Sequence, residues 1–175
     1  MLSKFFSPFP ILTTARLTLR QLSDADKQGI LALRSDIHIN KYLGRLPSET
    51  LDDAMKFINK VNENIKNDVS VYWAITITGN ENIVGTICLF DFSNENDKCE
   101  IGYELLTEYQ GQGIMQEATE RIIKYGSEKI GLKKIEAFTH KDNQSSIKLL
   151  SKFNFIKSAT PDQANKDFLT FSLTL

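Results

Sequence analysis

An α+β (mixed α/β) fold follows from three features of the sequence. Apolar residues recur with a period of two in some stretches and of about 3.6 in others. Polar turns at 79–82 and 93–97 join three successive strand-like runs into an antiparallel meander. A glycine-rich stretch at 110–116 then links the last of these strands to a helix. Together they predict about seven strands and four helices in the order β-α-α-β-β-β-α-β-α-β-β, as one domain over residues 1–175.

Residues 12–22 alternate, with Leu17, Leu19 and Ala15 on one face and Arg16, Thr18 and Arg20 on the other, as in a half-buried strand. Ser23-Asp24-Ala25-Asp26 has the form of a capping box with Asp in place of Glu, opening a helix through Ile30, Leu31 and Leu33. Residues 36–47, with Gly44 and Pro47, read as loop. A second helix starts near Ser48 and sets Leu51, Ala54, Met55, Ile58, Val61 and Ile65 on one stripe. The meander strands are 71–78, 83–92 and 98–106. The helix after the glycines runs to Ile130, where Gly131 stands in the usual stop position. A strand at 133–139 follows. Asp142 or Asn143 then caps a short helix through Ile147 and Leu150, ending at Phe153, and Asn154 tolerates the left-handed conformation that stops a helix. Strands at 155–159 and 167–173 flank a polar loop containing Pro161.

With 175 residues, 41% apolar and 25% charged, the chain can bury one sizeable core. A formal net charge of −1 without a basic block argues against direct nucleic-acid binding. Cys88 and Cys99 fall in apolar runs and read as buried, reduced thiols. No zinc spacing occurs, His38 and His140 stand far apart, and no metal is expected. Both histidines read as structural, with His140, at a strand end, the nearer of the two to the expected site. Pro8 and Pro10 interrupt the Phe-rich start, so neither a signal peptide nor a membrane span is expected there. The expectation is a cytoplasmic protein with no membrane partner, either a monomer or a homodimer.

The stretch Gln110-Gly111-Gln112-Gly113-Ile114-Met115-Gln116 carries the functional signal. Glycine frees the backbone to turn and to approach a ligand closely. A helix starting near Gly113 leaves its first amides unpaired and directs its positive dipole end to the same spot, which suits a pyrophosphate. The spacing serves a plain connecting turn equally well. It is no P-loop, because Ile114 and Met115 stand where Lys and Ser/Thr are needed. It is no dinucleotide fingerprint either, because Gln116 replaces the third glycine and the loop lies past mid-chain.

These residues resemble the Arg/Gln-x-x-Gly-x-Gly/Ala loop of the GNAT superfamily of N-acetyltransferases, with Met115 in place of the usual small last residue. Thr14-Ala15-Arg16-Leu17-Thr18-Leu19-Arg20 is similar to the opening of the ribosomal-protein N-terminal (RimJ/RimL-type) subgroup. Glu100-Ile101-Gly102-Tyr103-Glu104-Leu105 resembles its strand before the loop. Asn143-Gln144-Ser145-Ser146 and Lys152-Phe153-Asn154-Phe155 resemble its last helix, with Asn154 replacing a glycine. The resemblance implies a GNAT fold with a mixed, mostly antiparallel sheet. It also implies acetyl-coenzyme A as cosubstrate and transfer of its acetyl group to a primary amine. That amine is a peptide or protein N-terminus, or else a small amine such as a polyamine, amino acid or antibiotic. A non-catalytic acyl-coenzyme A sensor is the third reading.

By the same resemblance, Gln110, Gly111, Gln112, Gly113, Ile114, Met115 and Gln116 hold the pyrophosphate. Glu104 and Leu105 meet the pantetheine, with an amide near Leu105 as oxyanion donor. Asn143 meets the pantetheine and Ser146 lies near the sulfur as proton donor to the leaving thiolate. Asn143 also reads as a plain helix cap and Ser146 as a polar-turn serine. Glu100 shares a strand face with Gly102 and Glu104 and is the candidate general base, although solvation or ion pairing would equally explain it. Lys152 reads as a solvated charge.

Overall fold

The computed structural model describes residues 2–159 and 165–175, so the loop around Pro161 lies outside the described residues. The strands are β1 (Leu12–Thr13), β2 (Leu17–Arg20), β3 (Val71–Ile77), β4 (Ile83–Ser93), β5 (Lys98–Leu105), β6 (Lys134–His140), β7 (Ile156–Lys157) and β8 (Phe168–Thr174). The helices are α1 (Lys27–Ser35), α2 (Ile37–Asn40), α3 (Leu51–Lys66), α4 (Ile114–Tyr125) and α5 (Gln144–Lys152). Among the described residues the strands form one sheet in the order β1-β2-β3-β4-β5-β6-β8-β7. Every pairing is antiparallel except β5 with β6.

Alternation along β3 separates the two layers. Tyr72 faces α3, where Phe57 meets it edge-on at 5.5 Å. Trp73 faces α4, where Tyr125 meets it at 5.6 Å. Trp73 is fully buried, and its indole N–H donates to the Pro10 carbonyl at 2.8 Å. The stripe of α3 expected from periodicity is the buried one, with Ala54, Ile58, Val61 and Ile65 in the core.

The expected count of strands and helices rises by one each, and the reasons are local. The strand expected over 12–22 folds back on itself, pairing Leu12 with Leu19. The turn between β1 and β2 is fastened by Glu117, which accepts hydrogen bonds from Thr14 Oγ1 (2.5 Å), Arg16 N (2.9 Å) and Arg16 Nε (2.7 Å). Ala15 is therefore exposed while Leu17 and Leu19 are buried. The loop expected over 36–47 contains α2, because the Asp36 carboxylate accepts from the N–H groups of His38 (2.7 Å) and Ile39 (3.1 Å). The second long helix starts at Leu51 rather than near Ser48, since Thr50 forms a capping box with Asp53. Ser48 is instead buried, accepting from Arg34 Nε at 3.2 Å. After Tyr125 the helix widens into a π turn at Gly126–Ile130. A Cβ at Gly126 would come within 2.9 Å of Leu132, so glycine lets the chain pack there. Gly131 (φ +83°) and Asn154 (φ +60°) adopt the left-handed stops expected of them.

Candidate active site

The one parallel pairing is also incomplete. β5 and β6 are in register from Lys98 and Lys134 only as far as Glu100 and Glu136. Beyond those residues the two strands splay apart. Leu106 N donates to Val84 O at 2.9 Å, which fixes the alternation of the neighbouring β4–β5 ladder. In that alternation the backbone of Glu104 belongs to the pairing with β4, whereas Tyr103 and Leu105 turn their backbone groups to the splay.

A cavity of about 410 Å³ lies at this opening. Of the residues expected to bind the cosubstrate, Glu104, Leu105, Gln110, Gly111, Gly113, Ile114, Met115, Gln116, Asn143 and Ser146 are in its wall. The segments at residues 104–116 and 143–146 are thus brought to one place. Gln112 points away, its side chain donating to Glu108 O at 2.8 Å and its carbonyl accepting from Arg16 at 3.1 Å.

Gly111 (φ +75°) and Gly113 (φ +77°) both adopt the left-handed conformation. A Cβ at Gly111 would stand in open space, so the position requires the backbone turn and not the room. With Gly113 as N-cap, the amides of the first turn of α4 have no intrahelical partner and face the cavity mouth. Met115 resolves the question posed by its size by turning into the core. Gln110 closes the loop, donating from Nε2 to Leu105 O at 3.0 Å. This donor-rich cradle, with Lys148 and Lys152 in the cavity wall, fits a pyrophosphate. Lys152 is more than a solvated charge, since it donates to Gln116 Oε1 at 2.9 Å.

Asn143 caps α5, accepting from Ser146 N at 3.2 Å. Ser146 is buried, and its Oγ lies 2.8 Å from the Tyr103 hydroxyl. Burial pushes the Tyr103 phenol up to about 12. Tyr103 was not among the expected site residues because its parity is that of the apolar side of β5. The alternation that puts Leu105 at the splay also puts Tyr103 there.

A second, smaller cavity of about 180 Å³ shares Leu43, Tyr103 and Glu104 with the first and is floored by Tyr72, Thr86, Cys88 and Gly102. A Cβ at Gly102 would meet Cys88 Sγ at 3.2 Å, within this floor. Arg45 spans its wall, its two terminal nitrogens donating to the two Glu104 carboxylate oxygens at 2.6 and 2.5 Å. Asn40 Oδ1 holds Arg45 Nε at 2.8 Å. Arg34 stacks over Phe57 at 4.0 Å, and burial, then the Arg45 charge, lowers its pKa. Arg45 sits in a segment read as plain loop, and no periodic signal marks it.

Glu100 lines neither cavity. It lies opposite Phe90 and Glu136, on the same face as Gly102 and Glu104. Burial, then the neighbouring Asp91 carboxylate, pushes its pKa up to about 7. Asp91 reaches it from an irregularity in β4, where its own φ is +50°. The histidines reverse the expectation. His38 is in the wall of the larger cavity, whereas His140 packs between Tyr42 (5.5 Å) and Phe168 (5.7 Å). The thiols of Cys88 and Cys99 are free, and burial raises both, that of Cys88 to about 12. Among the described residues, no cluster of His, Cys, Asp and Glu could hold a metal ion, and no helix is long and apolar enough to cross a membrane.

The glycine cradle and the splayed parallel strands thus border one cavity that fits a pyrophosphate-bearing ligand. Residues 16–156 match the family described as the acetyltransferase (GNAT) domain, and the chain belongs to that family, enzymes that take their acetyl group from acetyl-coenzyme A. The uncharacterized N-acetyltransferase YoaA of Bacillus subtilis (strain 168) is 32% identical over 149 residues, 85% of this chain and 84% of that protein. RimL, the ribosomal L7/L12 alpha-N-protein acetyltransferase, solved in complex with coenzyme A, has a similar fold. It superposes with a TM-score of 0.83 at 18% identity, covering 95% of this chain and 98% of that one. The ribosomal-protein-S5-alanine acetyltransferase of Vibrio fischeri gives 0.80 at 21% identity, covering 94% and 96%.

Proposed function

We propose that this acetyltransferase modifies the α-amine at the N-terminus of a protein or peptide. The observation that carries the reading is the Arg45–Glu104 pair in the wall of the smaller cavity. That carboxylate is already neutralised by a bidentate guanidinium, with Arg34 close enough for the two cations to oppose each other. Such a wall repels a polyamine and suits a chain with one amine and a succession of carbonyl acceptors. Acidity points the same way. An α-amine has a pKa of about 7.7–8.0 against about 10.4 for lysine, so its neutral fraction near pH 7 is larger by roughly two to three powers of ten. The activity of RimL as a ribosomal L7/L12 alpha-N-protein acetyltransferase supports the same acceptor class.

In this reading the amides of 111–116 hold the pyrophosphate and Gln110 fixes the loop. Glu104 and Asn143 border the pantetheine arm, and the Leu105 amide faces the developing oxyanion. Ser146 gives a proton to the leaving sulfur. Glu100 takes the amine's proton through water over the floor at Gly102 and Cys88. The chain works as one domain in the cytoplasm, as a monomer or homodimer. Acetyl-coenzyme A supplies an activated thioester, and free thiol should appear on incubation with a lysine-containing peptide whose N-terminus is free. Mass spectrometry should find the acetyl group on the N-terminus. Acetylation of the lysine, or much faster turnover of polyamines or antibiotics, would overturn this acceptor, and no thiol release with any amine would favour a sensor.

A further inference from the structure

We propose that Tyr103 is a positioning residue that turns the hydroxyl hydrogen of Ser146 into the cavity. The inference rests on the reading of Ser146 as proton donor. Tyr103 on β5 and Ser146 on α5, 43 residues apart in sequence, are joined by a 2.8 Å contact between their hydroxyl oxygens. Either oxygen can donate, and the two choices have opposite consequences. If Ser146 donates, its only proton is directed at Tyr103 and away from any substrate. If Tyr103 donates, Ser146 Oγ accepts and its proton is free to point into the cavity whose wall both residues form.

The chemistry selects the second arrangement. A phenol is a far more acidic donor than an aliphatic alcohol, and the alcohol oxygen is the better acceptor. Burial keeps the phenol protonated through the physiological range. Ser146 is also fixed from behind, because its backbone N–H is taken by the Asn143 side chain. The oxygen is thus held between a cap on its own helix and a donor on the neighbouring strand.

The step balances as follows. The neutral amine nitrogen forms its bond to the acetyl carbon and the carbon–sulfur bond breaks, its electron pair leaving with sulfur. Ser146 gives its Oγ proton to that sulfur. The proton shed by the amine nitrogen passes through water to Glu100, and Ser146 Oγ regains a proton from solvent as Glu100 releases its own. Tyr103 keeps its own proton throughout, and its hydrogen bond stabilises the negative charge that develops on Oγ. Tyr103 also stands in the walls of both cavities, so its ring fixes the boundary across which this exchange takes place.

The test is a double-mutant cycle of Tyr103→Phe and Ser146→Ala, with thiol release measured against acetyl-coenzyme A and a free-N-terminus peptide. Tyr103→Phe should lower kcat about tenfold, the effect of losing one hydrogen bond, while KM for acetyl-coenzyme A stays within about twofold. The double variant should be no slower than Ser146→Ala alone, because Tyr103 acts only through the serine. A slow Ser146→Ala combined with a wild-type kcat for Tyr103→Phe, or with multiplicative losses, overturns the positioning role and leaves the serine role standing. A wild-type rate for Ser146→Ala overturns both. Should Tyr103→Phe fail to fold, 3-fluorotyrosine at position 103 keeps the ring and strengthens the donor. Its kcat should then rise at constant KM, and an unchanged kcat would overturn the proposal.

Discussion

Replacing Glu100 by Gln tests whether a half-buried carboxyl on β5 is held at a cost. Its pKa is raised from an ordinary 4.5 to about 7, by burial first and the Asp91 carboxylate second. The folded state therefore binds the proton more tightly than the unfolded chain between those two values. Stability is greatest below about 4.5 and declines as pH rises through about 7. The full shift would correspond to about 3 kcal/mol, and water around the half-exposed pair screens this to about 1–2 kcal/mol. Gln keeps an N–H donor for Asp91 and carries no charge at any pH. At pH 8 the Glu100→Gln variant should melt roughly 2–8 °C above the wild type, and at pH 4.5 the two should coincide. The same substitution should flatten the limb of kcat/KM that rises near pH 7 if Glu100 accepts the amine's proton. Equal melting temperatures for the two proteins at both pH values would refute the burial argument. A changed melting profile with an unchanged rate profile would leave Glu100 as a structural carboxyl only.

Two further outcomes concern the cradle. Acetyl-coenzyme A at a hundredfold excess over its dissociation constant should stabilise the protein by about 2.7 kcal/mol, and Gly113→Glu should abolish the shift by adding a side chain at φ +77° and a like charge, as thermal melts would show. Glu117→Ala removes the carboxylate that accepts from Thr14 and Arg16, at a cost of about 1.5–3 kcal/mol. Those bonds hold the Glu117 carboxyl below its usual range, so the deficit should be full at neutral pH and shrink as pH falls through that lowered value. KM for acetyl-coenzyme A should rise with little change in kcat, since Arg16 also steadies the Gln112 carbonyl.

Local rules made much of this molecule legible. The stripe on α3, the glycine turn into α4 and the left-handed stops at Gly131 and Asn154 each depend on residues within a few positions. What escaped depends on partners far along the chain. The turn at residues 14–16 exists because of Glu117, 101 positions beyond Arg16. Arg45 becomes part of a cavity wall only by meeting Glu104, 59 positions away. Glu100 could be placed on the right face of its strand, yet its pKa is raised by burial and then by Asp91, which meets it from an irregularity in β4 that no alternation pattern announces. Tyr103 escaped for a different reason. Its apolar parity was read correctly, but the splay converts that side of β5 from core to cavity wall.

Trp73 gives the chain a built-in optical reporter. It is the sole tryptophan, so emission excited near the red edge of aromatic absorption comes from one known place. Three segments converge on that indole. The N-terminal arm supplies the Pro10 carbonyl and the Phe9 ring at 6.1 Å, β3 supplies the backbone, and α4 supplies Tyr125. Detachment of the arm alone removes the indole's hydrogen-bond acceptor, while separation of α4 opens its edge to water. Stepwise loss of these contacts gives two distinct spectral changes along a urea titration, and concerted loss gives a single red shift with one midpoint.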